Sequence, residues 1–280
     1  MQGTRNPYIN DDGKPTLKKS VVAFIDILGF KDLSKGVANQ ADSGELLQTV
    51  HSALKEARQH IDPDTSKTIG EQYLGQDFSA ISAFTDNIVI GHPIDTDGEM
   101  ELGSIFDDLS RFQLKMALKG YFVRGAIAVG DLYMDEFVVF GGGLVEAYEG
   151  ESILAFNPRI VLTRSAMEFV DLHLLYYGSM PHAPQNIDLL KDSDDNYFVS
   201  YLEAVIGADD GQIDSLSLNA HKERIESKLI EYRKQPKIWN KYFWAATYHN
   251  YFCALRPATT TFRVNTSDLT IRPVKIIPND

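Results

Sequence analysis

The chain has 280 residues, 44% of them hydrophobic, which is enough for one large core or for a core with a substantial extension. A formal net charge of -12 argues against a protein that wraps a nucleic-acid backbone by bulk attraction, so a phosphate ligand would need local N–H groups, basic side chains or metal ions. One cysteine, Cys253, excludes an intrachain disulfide and a cysteine-rich metal site; with no apolar leader core and no run that approaches a membrane span, a soluble cytoplasmic protein is expected.

Positions 1–17 are polar, contain Gly13 and Pro15, and read as a tail. "VVAFID", from Val21, reads as a fully buried strand. Its aspartate raises a question, because an ionised carboxylate at the end of such a run must be exposed at the strand end, paired, or holding a cation. From Lys31 to His60 the spacing of Leu33, Val37, Leu46, Leu47, Val50 and Leu54 predicts two helical segments with a break near 39–44. "FSAISAF" and "NIVIGH" flank Thr85 and Asp86, the pattern of two antiparallel strands joined by a tight turn. A helix over 102–119 follows, with Ile105, Leu109, Phe112 and Met116 on one face.

"GYFVRGAIAVGDLYMDEFVVFGGG" returns to β structure, with Gly130 and Asp131 as the expected connection, and "LVEAYEGES" begins another helix. The order β-αα-β-β-α-β specifies an α+β fold: an antiparallel sheet with helices on one face, the ferredoxin-like arrangement. "IDLLKDSDDNYFVSYL" adds a late hairpin. Residues 216–253 read as two helices separated around Pro236, the second loaded with Trp239, Tyr242, Phe243, Trp244, Tyr248, Tyr251 and Phe252; residues 258–276 alternate as terminal strands. The expected division is a tail over 1–17, a core domain over 18–205, and a helical and strand extension over 206–280 packed on that core.

In such a sheet the first strand and the hairpin lie side by side, so Asp26 and Asp86 can converge on one edge. Two hard oxygen ligands there suit Mg²⁺ or Mn²⁺, with triphosphate and water completing the coordination. The alternative is that Asp86 favours its turn and Asp26 caps the helix that follows. "DSDDNYFVSYLE" matches part of a calcium loop through Asp192, Asp194, Asn196 and Glu203, but Tyr197 stands where the loop needs glycine, which favours a polar hairpin turn. The glycines at 141–143 form neither a P-loop nor a dinucleotide fingerprint and are expected to let backbone approach substrate or a partner subunit.

"FIDILGF" resembles the first metal motif of class III nucleotidyl cyclases, and "AFTDNIVI" resembles the second metal-aspartate hairpin of that family. "VRGAIAVGDLY", "FGGGLVEAYEGES", "DDNYFVSYL" and "WNKYFWAATYHNYF" are similar to the bacterial pyrimidine cyclases of the Pycsar anti-phage systems, so that the resemblance runs over roughly residues 18 to 253. It implies a class III cyclase catalytic core in a homodimer with active sites at the interface. It also implies conversion of a nucleoside triphosphate into a 3′,5′-cyclic monophosphate and pyrophosphate. Carried onto this chain, Asp26, Asp86 and the carbonyl of Ile27 would bind a pair of divalent ions, Mn²⁺ or Mg²⁺. The turn "ILGFK", with Phe30 and Lys31, offers backbone N–H groups and a helix N-terminus to the phosphates.

Departures from the purine cyclases carry information. The position of their base-reading lysine falls on Ser82, and that of their base-selecting acid falls near Val138, which points to a pyrimidine. The asparagine and arginine that stabilise their transition state fall at Val145 and Glu149. Another cation must then act on the phosphate, and Arg124 is the catalytic candidate, ahead of Arg159 and Lys31; the competing reading of Arg124 is a strand-edge ion pair. The expected product is cyclic UMP made from UTP as a second messenger in anti-phage defence, read by a separate cyclic-nucleotide-binding effector. The alternatives are a cytidylate cyclase, a purine cyclase, and a catalytically degenerate nucleotide-binding protein.

Overall fold

The apolar run from Val21 forms the central strand β1 (Lys18–Ile27) of the computed structural model, which describes residues 6–29, 48, 80–84, 87–95, 98–135, 137–177, 184–207 and 211–267. The expected hairpin is present as β2 (Ala80–Phe84) and β3 (Asn87–Pro93), and β3 pairs antiparallel with β1. Helix α1 (Glu99–Leu118) returns the chain to β4 (Val123–Met134), which pairs antiparallel with the other side of β1. The resulting order β2-β3-β1-β4, with antiparallel neighbours throughout, is the order of a ferredoxin-like sheet, and the protein is of the α+β class.

β5 (Val139–Phe140) folds back on the end of β4, and α2 (Gly142–Ile153) follows it. The sheet is then extended beyond β4. β6 (Ile160–Leu162) adds parallel to β4, α3 (Arg164–Tyr177) and the short α4 (Pro184–Asp188) intervene, and the hairpin β7 (Leu189–Lys191) and β8 (Tyr197–Val199) pairs onto β6.

Alternation of side chains along β1 fills two cores. Val21, Ala23, Ile25 and Ile27 pack with Ile105, Leu109 and Phe112 of α1 and Phe169 of α3, while Val22 and Phe24 pack on the opposite face with Ala147 of α2, Leu132 and Tyr8. Helices therefore cover both faces rather than the one face expected, which is why β1 reads as an unbroken apolar run instead of an alternating one. The segment expected as a tail closes part of the second core. Tyr8 is fully buried and its hydroxyl donates to Ser20 Oγ at 3.0 Å, and Ile9 bridges Pro15.

Gly130 and Asp131 do not form the expected connection. β4 continues through them, pairing Gly130 with Ser20 and Asp131 with Lys19. The chain turns later, where Asp135 Oδ1 accepts the N–H groups of Phe137 and Val138 at 2.8 and 2.7 Å. The helices expected between Lys31 and His60 lie outside the described residues.

The chain divides into two compact units, Met1–Asp214 and Ser215–Asp280. In the second, α5 (Ser215–Glu231) and α6 (Pro236–Ala254) are the two expected helices, and Pro236 sits in the first turn of α6, where its missing N–H costs nothing. The terminal strands expected over 258–276 are absent as far as Ser267. A 3-10 turn over Pro257–Phe262 stands there instead, and the Oγ1 atoms of Thr259 and Thr260 donate to backbone carbonyls within it. Residues 268–276 lie outside the described residues.

Candidate functional site

Asp26 lies one residue from the end of β1, directly opposite Asn87 of β3 on one side and Arg124 of β4 on the other. The row continues to Phe84 of β2. Its parity puts it on the face of Phe24 and Val22, the face covered by α2. Asp26 follows Val22 and Phe24 in the column on this face, with its side chain 18% exposed. Its Oδ2 accepts the Nε–H of Arg124 at 3.0 Å, a cross-strand ion pair.

Arg124 is held from a second direction. Its Nη2 reaches Glu151 Oε1 at 2.6 Å, and its Nη1 donates to the carbonyl of Ala155 at 3.4 Å. Glu151 comes from the last turn of α2, and its side chain is only 4% exposed. An isolated carboxylate so buried would cost several kcal/mol; the guanidinium, and the Ser152 hydroxyl that donates to Glu151 Oε2 at 3.0 Å, help offset that cost.

Glycine brings α2 close enough for this contact. A Cβ on Gly143 would lie 2.9 Å from Val22 Cγ2, and one on Gly150 would lie 2.8 Å from Ala126 Cβ and 2.6 Å from Thr163 Cγ2. Gly141 has φ 147, and a Cβ there would strike the carbonyl of Asp131. Two of the three glycines expected to approach substrate or a partner thus serve close approach to the chain's own sheet, Gly141 to β4 and Gly143 to β1 and β4. Tyr148, one turn before Glu151, lies edge-on to Phe24 with ring centroids 5.4 Å apart.

The structure brings Asp26 and Arg124 together as an ion pair, the competing reading of Arg124, and adds Glu151, which sequence reasoning missed. The signal was faint: an acid one position after a glycine in a helix that must dock closely. Ile27 continues the ladder opposite Val123 and is 1% exposed. The N–H of Leu28, in the turn expected to cradle phosphates, donates instead to Phe122 O at 2.9 Å. Ser82 stands in the register row of Val89, Phe24 and Ala126. Asp86, Phe30 and Lys31 lie outside the described residues; Asn87, which faces Asp26, is the residue after Asp86.

Arg159 is not available as a phosphate cation. Its side chain is fully buried and clamped by Asp192 and Asp194 across the β7–β8 turn. The same two aspartates were the core of the partial calcium pattern, and a guanidinium occupies their carboxylates. Val145 and Glu149, where the resemblance puts the transition-state pair, are both exposed on α2. With them, Phe137, Val138, Phe140, Tyr148, Ile153 and Phe156 leave between 49% and 84% of their surfaces exposed.

Asp26 is a hard oxygen donor of the type divalent cations take, at a partly open strand end, and its Oδ2 is engaged by Arg124. Among the described residues, no group of three or more His, Cys, Asp or Glu side chains is arranged to hold a metal ion. No described helix is long and apolar enough to cross a membrane.

The sequence matches no protein-family model and no curated protein. Among solved structures the neighbours include adenylyl cyclase-type proteins. The adenylyl cyclase CyaB from Pseudomonas aeruginosa is 14% identical, with 66% of this chain and 94% of that chain covered at a TM-score of 0.44. A class III adenylyl cyclase-like ATP-binding protein from the same organism is 11% identical, with 62% of this chain and 41% of that chain covered at a TM-score of 0.43.

Proposed function

We propose that the protein is a metal-dependent nucleotide cyclase that converts a pyrimidine nucleoside triphosphate, UTP in first preference and CTP in second, into its 3′,5′-cyclic monophosphate and pyrophosphate. The observation that carries the reading is the register at the end of β1. Asp26 pairs with Asn87 of β3, the residue that follows Asp86 in the sequence, which supports reading the two cyclase-like motifs as one site. Asp26, Asp86 and the carbonyl of Ile27 would hold Mn²⁺ or Mg²⁺. When bound, the pair of ions supplies acidification of the ribose 3′-hydroxyl and neutralisation of the departing pyrophosphate.

The chain's own residues do the remaining work. Asp26 orients the donor set from a rigid central strand. Arg124, ion-paired to Asp26, would supply a positive charge to the phosphate. Ser82 and Val138 stand where purine cyclases keep polar base-reading groups, which favours a pyrimidine. The exposed apolar side chains of the β4–β5 connection and α2, from Phe137 to Phe156, support a homodimer formed through this face, since a patch of this kind on a monomer is unusual. The role in anti-phage signalling through a separate effector rests on the resemblance of the motifs to Pycsar cyclases.

The test is to present ATP, GTP, CTP and UTP separately with Mn²⁺ and identify the products by mass. One dominant cyclic pyrimidine nucleotide supports the reading, and a cyclic purine or no cyclic product from any of the four overturns it. A second reading, a nucleotide-binding protein without turnover, is favoured by Val145 and Glu149 and by the neutralisation of Asp26 by Arg124. Calorimetric binding of a triphosphate without product over hours distinguishes it.

A further inference from the structure

Two carboxylates share one guanidinium at this edge, and their environments differ. The Glu151 end of the bridge is buried, at 4% exposure and 2.6 Å, on a helix docked tightly through Gly150. The Asp26 end is 18% exposed, with a longer contact of 3.0 Å, at a strand terminus. Breaking the Glu151 contact would take the cation from a buried carboxylate that also accepts the Ser152 hydroxyl at 3.0 Å, whereas releasing Asp26 leaves it partly in water with access to another cation. The two contacts therefore differ sharply in how readily they let go.

We propose that Arg124 is the internal counter-cation of Asp26 in the metal-free protein, that Glu151 is the positioning residue that tethers it, and that Asp26 exchanges the guanidinium for a divalent cation. On exchange the guanidinium stays on Glu151, and its Nε edge, no longer engaged by Asp26, turns toward an anionic group that arrives with the metal. One contact thus both covers the Asp26 carboxylate and stores the cation for phosphate. The inference rests on the assignment of Asp26 as a metal ligand and deepens it.

Charge balance makes the idea separable from bulk electrostatics. In the native trio the two carboxylates and one guanidinium leave a formal charge of −1. The double variant Arg124→Met/Glu151→Gln also leaves −1, all of it on Asp26, and it removes both partners of the buried pair, so the fold tolerates it better than either single change.

The experiment measures Mn²⁺ binding to the full chain, with Mn²⁺ alone as probe, by electron paramagnetic resonance of the free ion. Far-UV circular dichroism of every variant serves as the folding control. The double variant is expected to bind Mn²⁺ about tenfold more tightly than the native protein, and Glu151→Gln about tenfold more weakly, because Arg124 then settles wholly on Asp26. Equal or weaker binding by the double variant overturns the exchange while leaving the metal site standing. Native-like binding by Asp26→Asn overturns the metal assignment itself, and the exchange with it.

Discussion

The clamp on Arg159 allows a prediction whose sign depends on which side of an ion pair is removed. The guanidinium is fully buried beside Phe198, with its carbon 5.8 Å from that ring centroid, whereas the side chains of Asp192 and Asp194 are 15% and 46% exposed. Replacing both aspartates by asparagine leaves a charged group buried and uncompensated, which is expected to cost about 3–5 kcal/mol. Arg159→Met keeps most of the apolar packing and leaves Asp194 at the surface and Asp192 partly exposed, with the N–H of Ser193 donating to its Oδ1, so its cost is expected to be about 1–2 kcal/mol. Both tryptophans, Trp239 and Trp244, belong to the C-terminal unit and not to the unit that carries the clamp. The assay is urea unfolding followed by far-UV circular dichroism, with hydrogen exchange at Ile160–Leu162 and Tyr197–Val199 as the local probe. If Arg159→Met proves as destabilising as the double aspartate variant, the reasoning from asymmetric burial is wrong.

Further predictions concern pH and assembly. Burial, then the neighbouring charge of Asp107, raises the Asp108 carboxyl to about 7, against a weaker opposing effect of Arg111. The folded chain then binds an extra proton between about pH 4 and 7, and stability falls as pH rises through that window. Asp108→Asn should stabilise the protein by about 2–4 kcal/mol at pH 8 and by little at pH 4, and an equal gain in thermal melts at both would refute the assignment. In the C-terminal unit His221 Nδ1 and His249 Nδ1 lie 2.9 Å apart, and burial holds both rings below the ordinary histidine range, with His249 adding to the effect at His221. Here the unfolded chain binds more protons below about pH 6.5, so stability is present above that value and lost as pH falls. The unfolding midpoint read by tryptophan fluorescence should drop between pH 7 and 5, less so in His221→Gln; a flat profile contradicts this. If the exposed apolar face is the dimer surface, Phe140→Glu with Ile153→Glu should weaken dimerisation about a hundredfold in sedimentation, and an unchanged dimer would point to another interface.

The parts of the fold that were legible in the sequence share one property: a single local signal determined them. The run Val21–Ile27, the strands β2 and β3 of the hairpin, the spacing of Ile105, Leu109, Phe112 and Met116, and Pro236 at the head of a helix all report their own environment. Asp26 was legible for the same reason, as a charge in an apolar run. Misreadings arose where one residue type serves two purposes. Gly130 reads as a turn glycine, yet it lies in a continuous strand where a Cβ would come within 2.9 Å of Gly143 Cα. Thr259, Thr260 and Thr261 carry strand propensity, but Thr259 and Thr260 satisfy nearby carbonyls with their hydroxyls and so favour a tight turn. Glu151 was invisible because its importance depends on Arg124, 27 residues earlier in the chain and on another element. The role of Arg159 was misjudged because nothing in "NPRIVL" announces that the β7–β8 turn will close over it.

The most direct measurement is the conversion of UTP by the native protein and by Asp26→Asn at matched Mn²⁺, with cyclic UMP and pyrophosphate quantified together. The account predicts the two products in equal amounts from the native protein and a loss of at least about a hundredfold in the folded variant. Undiminished turnover by Asp26→Asn, or pyrophosphate without cyclic nucleotide, would contradict it.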